Sequence, residues 1–103
     1  MATGEIAQWD MIINKDLNWG DATINFNVYD LQSVVTHEFG HTFGLSDLYN
    51  SQCSQETMYG YGSMNDIRQR TLNDGDISGL QIIYPSTPEI KYGTISGTVT
   101  SYW

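Results

Sequence analysis

The amino-acid sequence predicts an α+β domain, and three observations carry that expectation. Ile24, Phe26 and Val28 alternate with polar residues, the period-two pattern of a strand. Val34, Val35, His37, Glu38 and His41 follow an acidic residue, Asp30, and read as a capped helix. Ile77, Leu80, Ile83 and Tyr84 form an apolar stripe at helical spacing in a second helix.

The elements follow in order. Residues 6–13, apolar with Trp9 and Met11, predict a first strand. Asn18-Trp19-Gly20-Asp21 predicts a turn, and residues 24–28 a short second strand. The helix after Asp30 comes next. Residues 46–71 show little periodicity, and so long an irregular stretch points to a functional loop. Asn73 or Asp74 caps the second helix, Asp76 suits the positive end of its dipole, and Pro85 ends it. Residues 86–92 read as a Ser/Thr/Pro linker. Thr94 to Thr100 alternate like a strand and resemble the opening of a small β-module. The expected organisation is a core over 1–85 and a linker with the start of a β-module over 86–103.

Composition narrows the partners. The chain has 103 residues, enough for one small domain. Four basic against twelve acidic residues give a net charge of −8, which argues against nucleic acid and anionic membranes. No run approaches the ~18 apolar residues of a membrane span, and the N-terminus lacks the charged-then-apolar pattern of a secretion signal. Met1-Ala2-Thr3 reads as a start added to a mature or truncated segment. Cys53 is the one cysteine, so an intrachain disulfide is excluded.

The chemistry is concentrated in His37-Glu38-Phe39-Gly40-His41-Thr42-Phe43-Gly44-Leu45-Ser46-Asp47, an HExxHxxGxxD pattern. Histidines four apart stand about 40° from each other on a helix and can close on one zinc ion. Glu38 projects beside the metal, where it can take a proton from a zinc-bound water. Asp47 would be carried ~9 Å further along if the helix continued. Gly44 tolerates the left-handed conformation that ends helices, so the chain can turn and bring Asp47 back. The competing explanation is accidental spacing on an ordinary helix. Against it, the chain has two histidines and both fall in the motif. Glu56 is an alternative third ligand, as in thermolysin-like enzymes, and Cys53, between Asp47 and Met58, could be a further soft ligand, though a catalytic zinc needs its fourth position open.

With its glycine and third ligand, this motif resembles that of the metzincin metallopeptidases. Thr57-Met58-Tyr59-Gly60-Tyr61 is similar to the methionine turn of the matrixins within that clan, with Gly60 where proline is usual. Residues 72–85 resemble the last matrixin helix. The resemblance covers about residues 6–85. It implies a secreted or cell-surface zinc endopeptidase acting on protein or peptide substrates, with one catalytic Zn2+ held by His37, His41 and Asp47. Glu38 would be general base and then acid. Met58 would floor the histidines, its ordinary alternative being core filling. Tyr59 and Tyr61 would wall a substrate pocket or assist the transition state.

Three departures matter. Asp47 stands where most members have histidine, and should acidify the bound water less. Met11-Ile12-Ile13-Asn14-Lys15-Asp16 resembles the strand that helps hold structural ions but lacks its histidine and acidic pattern, so neither structural zinc nor calcium is expected. The stretch before His37 is short, so a domain truncated at its N-terminus is expected, without the edge strand that grips an extended substrate. An uncovered sheet edge would favour a homo-oligomer. The alternative function is a catalytically incompetent zinc-binding fragment or interaction module of a larger peptidase.

Overall fold

The computed structural model describes residues 6–85 and 96–98. The expected linker 86–92 lies outside them, as does the expected strand over 94–100 apart from residues 96–98, which carry no regular structure.

Helix α1 spans Leu31–Thr42. Asp30 caps it: the carboxylate accepts the Ser33 backbone N–H at 2.9 Å. The helix ends where glycine permits it to. Gly44 has φ +97°, its N–H donates to His41, and the Leu45 N–H donates to the Gly40 carbonyl, both at 3.0 Å. That pair of bonds is the Schellman arrangement, which satisfies two carbonyls of the last turn.

The expected strands are not where alternation placed them. Among the described residues, 6–13 make no backbone hydrogen bond to a neighbouring strand. They run over α1 instead, with Trp9 packed edge-on against Phe39 at 5.4 Å. Residues 24–28 turn rather than extend. The Asp21 carbonyl accepts from Ile24 and Asn25, its carboxylate accepts from Thr23, and Asn27 takes φ 58°. Ile24 and Phe26 are left 79% and 80% exposed, so their alternation did not report a buried face.

The sheet is instead a parallel pair of two-residue strands, β1 (Trp19–Gly20) and β2 (Tyr29–Asp30), with Trp19 opposite Tyr29. Gly20 lets the strands close up: a Cβ there would stand 3.2 Å from Val28. After α1 the chain is irregular, with 3₁₀ turns at Ser51–Cys53 and Arg68–Arg70 and an isolated bridge between Leu48 and Tyr59.

Helix α2 spans Asp74–Ile83. Its start is held by carboxylates. Asp76 accepts from the Asn73 N–H at 2.9 Å, and Glu56 accepts from the Asp76 N–H at 3.2 Å. Its end packs on the end of α1, where Tyr84 meets Phe43 edge-on and donates to the Phe43 carbonyl at 3.0 Å. The expected apolar stripe is only half covered, since Ile77 and Ile83 are 40% and 42% exposed.

The interior is unusually polar. Val28 and Met58 are its buried apolar residues, beside buried Asp30, Ser33, His37, Thr57 and Asp76. Two carboxylates organise it. Asp30 accepts from Arg70, Ala22 and Ser33, and Asp76 accepts from Thr57, Met58 and Asn73. The Arg70 guanidinium holds the Asp30 carboxyl well below the usual carboxylate range.

Candidate metal centre

α1 carries both histidines, and the turn at Gly44 returns Asp47 to them. The ligand atoms of His37, His41 and Asp47 lie within 4.8 Å of one another, and they form the one such group of three among the described residues. The imidazoles meet edge-on, with centroids 4.9 Å apart. Asp47 Oδ1 sits 2.9 Å from His37 Nε2 and 3.3 Å from His41 Nε2.

The outer ring nitrogens determine what the inner ones present. His37 Nδ1 lies 2.7 Å from the Thr57 carbonyl, and His41 Nδ1 lies 2.8 Å from the Leu45 carbonyl. A carbonyl only accepts, so each Nδ1–H donates outward and each ring turns its Nε2 toward Asp47. Two imidazole nitrogens and a carboxylate oxygen then converge, a donor set that suits a cation. The spacing suits zinc, since ligands about 2.0–2.1 Å from a tetrahedral ion stand ~3.3 Å apart.

The Thr57 carbonyl is itself located by Asp76, whose carboxylate takes the Thr57 N–H at 2.8 Å. The Gln69 amide donates to the Tyr59 carbonyl at 2.7 Å beside the His37 ring. Met58 is 2% exposed and its sulfur fills the space over Gly40, where an added Cβ would overlap it. Gly40 is thus the small residue that admits the Met58 side chain against α1.

Glu38 lines two clefts. The first, about 200 Å³, is bounded by Tyr29, Val34, His37, Tyr59 and Gln69. The second, about 370 Å³, is walled by Trp9, Ile12, Trp19, Val35 and His41. Tyr59 thus faces a cleft. Tyr61, 60% exposed, stacks edge-on between Tyr49 and Tyr59.

The two alternative ligands are elsewhere. Glu56 is occupied at the start of α2, with its carboxylate against Gly75, and Cys53 closes a 3₁₀ turn outside the cluster. Sequence reasoning did not find Tyr49, which donates to Asp47 Oδ2 at 3.2 Å. The carboxylate pushes the Tyr49 phenol up, keeping it protonated. Arg70 was missed too. No periodicity marks either residue.

The matrixin family model matches residues 2–85. Interstitial collagenase of Equus caballus is 36% identical over 79% of this chain and 18% of its own length. Matrix metalloproteinase-27 of Homo sapiens is 34% identical over 78% of this chain and 14% of its own. The chain therefore spans less than a fifth of the length of these curated relatives. No solved structure gives a significant match. A family match over most of the chain and relatives above 30% identity lead to one conclusion: this chain belongs to the matrixin family.

Proposed function

We propose that this chain is a zinc-dependent endopeptidase whose ion is held by His37, His41 and Asp47 and whose general base is Glu38. The observation that carries the reading is the convergence of two histidine Nε2 atoms on Asp47 Oδ1, with Glu38 lining both neighbouring clefts. Bound zinc would supply Lewis acidity to the scissile carbonyl and to the attacking water.

The chain's own residues do the rest. The Thr57 and Leu45 carbonyls hold the imidazoles in one tautomer and orientation. Glu38 takes a proton from the attacking water and delivers it to the leaving amine. The two clefts that share Glu38 would take the substrate on either side of the scissile bond, with Tyr59 walling one of them. Met58 floors the histidine helix through its contact with Gly40. The substrates would be proteins or peptides in an extracellular setting, in keeping with relatives named interstitial collagenase and matrix metalloproteinase. No helix among the described residues is long and apolar enough to cross a membrane.

A second reading has its own observation. Ile12, Phe26 and Ile82 are 94%, 80% and 81% exposed, as in a domain whose apolar faces are covered by something else. On that reading the chain holds zinc but lacks part of the substrate platform, and a second copy or another segment completes it.

Zinc content and cleavage of a fluorogenic peptide, compared in this chain and in Glu38→Ala, test both. One zinc per chain is expected, with cleavage abolished by chelator and lowered about 10²–10⁴-fold in Glu38→Ala without zinc loss. Zinc without cleavage would favour the incomplete platform, and no zinc would sink both readings.

A further inference from the structure

The two histidines and the carboxylate of the metal centre are supported differently. Each imidazole turns its outer nitrogen to a backbone carbonyl. A carboxylate cannot use that device, because its second oxygen needs a donor. Asp47 Oδ1 faces the two Nε2 atoms, and Oδ2 receives the Tyr49 hydroxyl at 3.2 Å.

Tyr49 is built into its place. Its ring lies over Gly60, where a Cβ would stand 2.5 Å from Tyr49 Cε1. Tyr61 meets it edge-on at 5.4 Å. Leu48, the residue joining Asp47 to Tyr49, is tied on both sides: its N–H donates to Met58 and its carbonyl accepts from Gly60, each at 2.8 Å. The hydroxyl therefore approaches from a fixed direction.

We infer that Tyr49 is a positioning residue for the metal centre. Its hydroxyl anchors Asp47 Oδ2, so that the carboxylate offers Oδ1 alone. Without that anchor the carboxylate rotates freely, Oδ1 is held less often beside the two Nε2 atoms, and the third ligand is less well preorganised. Gly60 supports this role by leaving room for the tyrosine ring. The inference rests on the proposed ligand set and deepens it.

Competition titration against a chromogenic zinc chelator tests it, independently of peptide cleavage. Four proteins are compared: this chain, Tyr49→Phe, Asp47→Ala and the double variant. Tyr49→Phe keeps the ring and should weaken zinc binding about 10-fold or more. In the Asp47→Ala background the same change should have no effect, because the group it positions is gone. An equal loss in both backgrounds would assign Tyr49 a merely structural role and overturn the inference. Wild-type affinity in Tyr49→Phe would overturn it too and leave the metal centre standing. If the unmodified chain bound no zinc, the ligand set itself would fall, and this inference with it.

Discussion

Arg70 pairs with Asp30 across 40 residues of sequence, its Nε donating to Oδ2 at 2.7 Å and its Nη2 to Oδ1. Asp30 also caps α1 and takes the Ala22 N–H. One carboxylate therefore joins the strand pair, α1 and the Arg68–Arg70 turn. Removing the guanidinium would strand a buried charge. Arg70→Met should clearly lower the urea midpoint, because Asp30 is left without its partner. Arg70→Lys should recover only part of this, since an ammonium cannot reproduce the two-point contact.

The same pair sets an acid limit. Asp30's carboxyl lies well below its ordinary range because Arg70 bonds to it. Its contribution is complete above the unfolded-state value of about 3.9 and is lost as pH falls from there through the folded-state value. The urea midpoint should hold steady down to about pH 5 and decline below about pH 4. Arg70→Met should show a smaller acid-induced decline, because Asp30 then starts from a less depressed value.

Asp76 links stability to the metal centre. It is 2% exposed and accepts three backbone N–H groups, from Thr57, Met58 and Asn73. Asp76→Ala should cost on the order of 3 kcal/mol, as one orphaned buried donor costs about 1–3 kcal/mol. Zinc affinity should fall with it, because the Thr57 carbonyl orients His37. Unchanged zinc affinity in a folded Asp76→Ala protein would break that link.

Gly40 is a packing residue in mid-helix. Alanine there gains about 1 kcal/mol of helix propensity. The new methyl overlaps the buried Met58 sulfur, and overpacking costs about 1–3 kcal/mol. Gly40→Ala should therefore lower the melting temperature. In a double-mutant cycle the loss should shrink when Met58 is also changed to Ala. Additive losses would place the clash elsewhere.

Much of the zinc helix was legible because its signals are local. Asp30 and Gly44 each act within one turn of their neighbours, Asp30 capping α1 and Gly44 ending it as their chemistry suggests, and the histidine spacing places both rings beside Asp47. The strands were not legible. A two-residue strand has no period to read, and alternation at Ile24, Phe26 and Val28 was overridden by a turn that Asp21 organises. Nor were the supports of the site. Thr57 and Leu45 act through their carbonyls, which every residue has, and Arg70 acts across a distance that spacing cannot report.

The ties at Leu48 bear on how the centre would come apart. Met58 and Gly60 clasp Leu48 from either side, so the chain between them is drawn into a closed ring. Asp47 hangs at the neck of that ring and Met58 sits on its far bank, under the histidine helix. The backbone that carries Asp47 cannot shift far without unfastening the clasp, which also unseats the floor. Release of an ion held here would be governed by a rare opening of the whole ring, so its escape would be slow even where its affinity is modest.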